Sequence, residues 1–261
     1  MRVDGKVVFV TGAGSGIGEA LSRRFAAERA RVVVVTDLDG GQASRVAGDI
    51  GGVAMQLDVS DEAAVTSAIA ATERDHGPIG LLVNNAGIAT GGSVDVPTEM
   101  WQKTWDVNVM AHVYAIRAAL PGMLARGSGH VLSTVSAAGL LTNIGAAPYA
   151  VTKHAALALA EWVAVTYGKS GIGVSALCPQ FVDTPMLDLF GDTSSQEWVR
   201  GIAITTEDVA DSVIAGLDEE RFLILPHPEV ATFFQNKAND YDRWLGGMQK
   251  LNEQFGDGIG G

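Results

Sequence analysis

Lys6–Thr11 (KVVFVT) is a short run rich in β-branched residues that breaks at once into Gly12-Ala13-Gly14-Ser15-Gly16-Ile17-Gly18. β-Branched side chains favour strands, and the glycines that follow let the backbone turn tightly. Beyond the turn, Ile17, Leu21 and Phe25 recur at helical spacing. Strand, glycine turn and helix in direct succession open a βα unit, and the rest of the chain repeats that alternation. A second strand is expected at Arg31–Thr36 (RVVVVT), a third at Gly52–Leu57, a fourth at Pro78–Val83 and a fifth at His130–Thr134. Ile172–Leu177 reads as a sixth and Arg221–Leu225 (RFLIL) as the last.

Helical patterns fill the gaps. They run over Asp61–Arg74, with Ser60 or Asp61 as cap, over Thr98–Arg126, over Pro148–Gly168 and over Thr206–Leu217. Repeated βα units with short connections predict an α/β fold: a doubly wound, Rossmann-type parallel sheet of about seven strands with helices on both faces. Of the 261 residues, 47 % are apolar and 18 % charged, a balance suited to parallel strands buried on both sides. No internal repeat or linker is visible, so residues 1–255 are expected to form a single domain and 256–261 a flexible tail.

Charge and cysteine content narrow the partners. A net charge of −12 and a pI near 4.7 argue against nucleic acid or an anionic membrane. Cys178 is the only cysteine, which excludes an intrachain disulfide and a cysteine-based metal cluster, and no metal site is expected. Val131–Thr152 is uncharged and long enough to span a bilayer, but its Gly, Ser and Thr content, with Asn143 and Pro148, reads as the interior of a soluble protein. The N-terminus enters a strand directly, without the apolar core of a signal peptide, so a soluble, cytoplasmic protein is expected.

Glycines at such a turn allow a pyrophosphate to approach the backbone and rest on the helix N-terminus. The second strand ends in Asp37, which lies 19 residues beyond Gly18 (37 − 18). That is close to the distance expected of the acid that accepts hydrogen bonds from an adenosine ribose. Asp37 has a plainer reading as a turn or helix-cap residue. Its carboxylate would repel a 2′-phosphate, and no Arg stands in the glycine loop or in the two positions after Asp37. The expected cofactor is therefore NAD (NAD+/NADH) in preference to NADP.

Tyr149 and Lys153 are four apart, so on a helix they share one face. Pro148 places them in a helix's first turn. A fixed ammonium and the positive end of the helix dipole would both lower the phenol's pKa from its usual value of about 10, making Tyr149 an acid–base group. The spacing alone is common; the remaining motifs give it meaning.

Those motifs stand in order: Thr11–Gly18, Asp58-Val59, Asn84-Asn85-Ala86-Gly87, Asn108, Ser136, Tyr149-xxx-Lys153 and Pro179–Thr184. Together they resemble the short-chain dehydrogenase/reductase family over roughly Lys6 to Met186. The resemblance implies a catalytic set of Asn108, Ser136, Tyr149 and Lys153. Tyr149 would be the general acid/base on the substrate oxygen, Ser136 would hold that oxygen, Lys153 would assist Tyr149 and hold the nicotinamide ribose, and Asn108 would support a water-linked proton relay. Asn108 also has a structural reading, bonded to backbone inside a buried helix, and Ser133 is a rival serine best read as a strand hydroxyl. Cofactor contacts are implied for Gly12, Ser15, Gly16, Ile17, Gly18, Asp37, Leu38, Asp58, Val59, Asn85, Ala86, Gly87, Tyr149, Lys153, Val182 and Thr184.

Two departures from the family pattern concern the substrate. Pro179-Gln180 stands where Pro-Gly is usual, which leaves the loop geometry open and places a side chain, solvent-pointing or substrate-bonding, beside the nicotinamide. The common Asp-Gly-Gly ending is absent. Pro226-His227-Pro228 leads instead into an atypical C-terminal helix over 228–250 carrying Phe233, Phe234, Tyr241 and Trp244, with His227 read as a turn residue. A lid over 185–205, apolar at Met186, Leu187, Leu189, Phe190 and Trp198, completes a substrate pocket expected to include Gln180, Met186 and Phe190. The expectation is an NAD(H)-dependent oxidoreductase that interconverts a secondary alcohol and a ketone on a small hydrophobic or aromatic substrate, as a homodimer or homotetramer. A non-catalytic NAD-binding regulator and a nucleotide-sugar epimerase or dehydratase are the alternatives. The first would be expected to lose Ser, Tyr or Lys, and the second normally needs a longer chain.

Overall fold

Val7–Thr11 forms β1 inside the sheet, and all five residues are buried. In the computed structural model, which describes residues 1–189 and 199–259, β1 pairs in parallel with β2 (Val32–Asp37) on one side and β4 (Ile79–Asn84) on the other. β3 (Val53–Gln56), β5 (Gly129–Thr134), β6 (Ile172–Leu177) and β7 (Leu223–Ile224) complete a seven-stranded parallel sheet in the order β3-β2-β1-β4-β5-β6-β7. The expected doubly wound Rossmann-type architecture is present.

Period-two alternation along β1 explains the two apolar layers. Val7 and Phe9 join one core, with α3 (Glu62–His76), α5 (Ala111–Arg126) and α7 (Ala147–Tyr167). Val8 and Val10 face the other, with α1 (Gly16–Ala27) and α2 (Gly40–Ile50). Full burial of each such side chain contributes roughly 1.5–3 kcal/mol, the main drive for the layered arrangement. Helix starts are set by local chemistry. Asp39 caps α2 by accepting from the N–H groups of Gly41 and Gln42, and Asp61, not Ser60, caps α3 in the same way.

Two expected helices are divided. The Thr98–Arg126 pattern becomes α4 (Thr98–Trp105), a π turn at Asp106–Met110, and α5. The C-terminal pattern becomes α9 (Glu229–Asn239) and α10 (Tyr241–Ile259), broken at Asp240, whose Oδ1 accepts from the Arg243 N–H at 3.0 Å. Between them in sequence lie the one-turn α6 (Ala137–Leu140) and α8 (Thr206–Asp218), opened by a Thr205/Asp208 capping box. α10 carries helical backbone to Ile259, into the segment expected to be a tail; Gly260 and Gly261 lie outside the described residues. Among the described residues no helix is long and apolar enough to cross a membrane.

Strand order reverses direction between β1 and β4, so the loops after these strands diverge around a crevice at the carboxyl edge of the sheet, where α/β folds bind ligands.

Candidate active site

One cleft of about 2520 Å³ runs along that edge, and its walls include nearly every residue singled out from the sequence. Gly12, Ser15, Gly16 and Ile17 form one end with Asp37, Leu38, Asp58 and Val59. Asn85–Gly87 lie in the middle; Ser136, Tyr149, Lys153, Gln180, Val182, Thr184 and Met186 form the other end. Gly18 stands behind the wall. Asn108 is fully buried below it. Phe190 and Trp198 lie outside the described residues.

The glycine turn is shaped by close approach. A Cβ at Gly18 would lie 2.1 Å from the Gly12 carbonyl oxygen, and one at Gly12, whose φ is +60°, would lie 2.7 Å from the Ala86 Cα. The loops after β1 and β4 therefore touch through bare backbone. Asn85 knits them, donating from Nδ2 to the carbonyls of Thr11 and Gly12 at 3.1 and 2.9 Å. Thr11 Oγ1 accepts from the N–H groups of Asn85 and Ala86. Asp37 ends β2 at the mouth of this loop; its Oδ2 accepts from the Gly14 N–H at 2.8 Å and its Oδ1 from the Asp39 N–H at 3.0 Å. Asp39 takes the cap role, so Asp37 is left facing the cleft. Free N–H groups at the α1 N-terminus, a turn with no side chains in the way, and a carboxylate beyond it fit a dinucleotide. On the far rim, a Cβ at Gly16 would approach the Thr184 methyl at 3.2 Å, so the segment after β6 closes against the same loop.

Ser136 caps α6: its Oγ accepts from the Ala138 N–H at 3.1 Å. The Pro179 carbonyl accepts from the Ala137 N–H at 2.8 Å, fixing this turn to the segment after β6. Ser133 lies within β5, buried opposite Ala176, and has no place in the cleft wall. Tyr149 and Lys153 share the cleft-facing side of α7. Lys153 Nζ stands 5.5 Å from the Tyr149 ring centroid and donates to the Thr134 carbonyl at 3.1 Å.

The electrostatics differ from the expectation for Tyr149. Burial pushes its phenol above the ordinary value, and a hydrogen bond with Ser136 offsets part of that rise. Burial also brings Lys153 down to about 8, so it stays mostly protonated at pH 7 and loses its proton in the mildly alkaline range. Desolvation outweighs the attraction anticipated from spacing alone. Cys178, fully buried, is pushed up to about 12 and is no nucleophile.

Asn108 sits in the π turn, a distortion frequent at functional sites. Its Oδ1 accepts from the Ile88 N–H at 2.8 Å, and its Nδ2 donates to the Ile88 carbonyl at 2.9 Å and to Thr152 Oγ1 at 3.1 Å. Those contacts hold backbone, the structural reading, yet a Cβ at Gly87 would meet both Asn108 Oδ1 at 3.3 Å and Lys153 Nζ at 3.4 Å. Asn108 and Lys153 thus converge on one point of the β4 loop.

Gln180 lines the cleft, and its backbone does not enter the left-handed region, so the missing glycine strains nothing. Its N–H donates to His227 Nδ1 at 3.1 Å. His227 is therefore more than the turn residue expected: it is buried and braces the loop after β6. Sequence reasoning also passed over Thr134 and Thr152, whose hydrogen bonds support the motif residues. It missed Lys237 too, buried beneath the C-terminal helices, although Lys237, Tyr241 and Trp244 are spaced to share a helix face.

Known proteins resemble this chain over most of its length. The family model described as short chain dehydrogenase matches residues 6–194. The 1-deoxy-11-beta-hydroxypentalenate dehydrogenase of Streptomyces exfoliatus is 34 % identical over 252 residues, covering 92 % of this chain and 90 % of the relative. The meso-2,3-butanediol dehydrogenase of Serratia marcescens is 36 % identical over 218 residues, covering 80 % and 86 %. Among solved structures, a short chain dehydrogenase/reductase from Burkholderia phymatum in complex with NAD superposes with a TM-score of 0.83 at 29 % identity, covering 93 % of this chain and 96 % of that one.

Proposed function

The chain belongs to the short-chain dehydrogenase/reductase family, and from that premise we propose that it is an NAD(H)-dependent oxidoreductase interconverting a secondary alcohol and a ketone. The observation that carries this reading is the meeting of Ser136, Tyr149 and Lys153 in one cleft with the glycine turn and Asp37. When bound, the nicotinamide supplies or accepts the hydride. The chain's own residues handle the proton and the position of the substrate. Tyr149 gives its phenol proton to a ketone oxygen, or takes the proton of an alcohol. Ser136 Oγ, bonded to Tyr149, holds the same oxygen. Lys153, held at about 8, returns protons toward Tyr149 and anchors the nicotinamide ribose, while Asn108 keeps the Ile88 backbone and Thr152 in place beside it.

NAD is favoured over NADP because the Asp37 carboxylate at the end of β2 would repel a 2′-phosphate, while Arg45, whose Nη2 donates to the Gly14 carbonyl at 3.0 Å, is already paired with Glu19. The substrate end is apolar, with Met186, Leu187, Phe233, Trp244, Met248 and Leu251 in its walls, and suits a hydrophobic or aromatic alcohol. We place the protein in the cytoplasm as a homodimer or homotetramer, on the strength of its soluble fold and of exposed apolar residues along α7.

The test is spectrophotometric: purified protein, NAD+ or NADP+, and a broad panel of aliphatic, alicyclic and aromatic secondary alcohols, followed at 340 nm. Reduction of NAD+ by at least one apolar secondary alcohol, and faster than NADP+, is the expected result. Bound NADH with no hydride transfer across the panel would point instead to a non-catalytic dinucleotide-binding role.

A further inference from the structure

Lys237, in the last turn of α9, is only 6 % exposed. An ammonium that deep needs several partners to offset its lost hydration. Nζ donates to the Leu140 carbonyl at 2.8 Å and to the Leu141 carbonyl at 2.7 Å. It also lies 5.5 Å from the Tyr241 ring centroid and 4.8 Å from that of Trp244, within cation–π range of both. The two rings meet edge to face with centroids 5.6 Å apart. One cation therefore ties together the end of α9, the first turn of α10 and the last carbonyls of α6.

What it ties down matters because α6 has only four residues, Ala137–Leu140. A single turn leaves most of its carbonyls without intrahelical partners, so its position depends on what holds its ends. The front end is Ser136, capping through Oγ. The back end is the pair of carbonyls on Lys237. On the opposite flank, the Pro179 carbonyl receives the Ala137 N–H, and the next residue, Gln180, donates to His227. Both flanks of the Ser136 turn are thus braced by the segment that replaces the family's usual ending. The same lysine fixes α10, whose Trp244, Met248 and Leu251 recur at helical spacing along the cleft.

We propose that Lys237 is a positioning residue for Ser136: by capping the α6 carbonyls it fixes the turn that aims the serine at the substrate oxygen. The inference rests on the oxidoreductase reading for its kinetic arm and on geometry alone for its structural arm.

The full-length protein, its K237M, K237R and S136A variants and the K237M/S136A double variant test it, each saturated with NADH. Lys237→Met keeps the stem and removes the charge and donors; Lys237→Arg restores both. Expected for K237M are faster amide hydrogen exchange over residues 137–143 and an NADH affinity equal to wild type. Its kcat should fall by about 10- to 100-fold, with KM moving by less than about threefold. K237R should recover most of the rate. The double variant should turn over no more slowly than S136A, because no serine remains to be positioned. Unchanged exchange over 137–143, or losses that multiply in full in the double variant, would overturn the proposal. Should K237M not fold, K237Q takes its place in every comparison. If the wild type turns over no alcohol or ketone, the oxidoreductase reading fails, and the exchange measurement still decides whether the clamp exists.

Discussion

Tyr149 and Lys153 share a face of α7 as their spacing required, but the spacing could not report how dry their surroundings are. Burial acts on both groups in the direction of neutrality, raising the phenol and lowering the ammonium to about 8. Asp37 was legible as the acid that ends β2; its bonds from the Gly14 and Asp39 N–H groups depend on loop geometry that no spacing encodes. Replacing Asp37 by Ala should weaken NADH about tenfold and move the NADPH/NADH turnover ratio toward NADPH by about 10-fold or more. An unchanged ratio in paired kinetics would place the discrimination elsewhere. His112 in α5 is fully buried, both ring nitrogens lack partners, and burial holds it down to about 3. The unfolded chain takes up that proton near pH 6.5, the folded one only near 3, so stability is lost as pH falls between those values, by up to about 1.4 kcal/mol per pH unit. His130, held at about 4, adds to the same acid limb. His112→Leu should therefore leave stability at pH 7 equal or higher and flatten the decline toward pH 5, as read from urea midpoints. Parallel declines in the two proteins would refute this account of His112.

At the scale of elements, β-branched runs located the strands well because a doubly wound sheet buries them on both faces. Helix interruptions were not legible. The π turn around Asn108 inserts its distortion without disturbing the apolar pattern, since Val107 and Ala111, both packed in the core, keep the four-residue spacing of a helix. The break at Asp240 was written more openly, as an acid able to cap α10, but a continuous helix fitted the aromatic spacing equally well. Of the lid expected over 185–205, residues 190–198 lie outside the described residues; the described part opens with a 3-10 turn at Pro185–Leu189, and Ile204 bridges Val182 in parallel. The glycine turn is the element with least freedom. Gly18→Ala would drive a methyl into the Gly12 carbonyl, so α1 must shift away from the turn. The expected outcome is a stability loss of more than about 3 kcal/mol and loss of NADH binding, read by thermal melts and fluorescence titration. Wild-type values for both would show that the turn tolerates what its geometry forbids.

For the whole molecule, one sheet edge gathers segments from Gly12 to Leu251 into a single cleft, which is why motifs far apart in sequence read as one site. Composition and pattern revealed the layers; the way the C-terminal helices close the cleft had no precedent in the family's usual ending and became visible only in three dimensions. Assembly belongs to this scale too. Val151, Ala158, Trp162 and Val165 are exposed at helical spacing along α7, with Val165 at 86 %. Light scattering should give a dimer or tetramer, and Val165→Glu should shift it toward monomer with NADH still bound; a monomeric wild type would remove this face from consideration. The central claim is that one cleft combines a nicotinamide site with a separate proton-transfer group. The direct measurement titrates NADH into wild type and Tyr149→Phe by fluorescence, then follows ketone reduction by both at 340 nm. The account predicts equal NADH affinity and a rate lower by about 10³-fold or more in the variant; a variant that reduces ketone at near wild-type rate would contradict it.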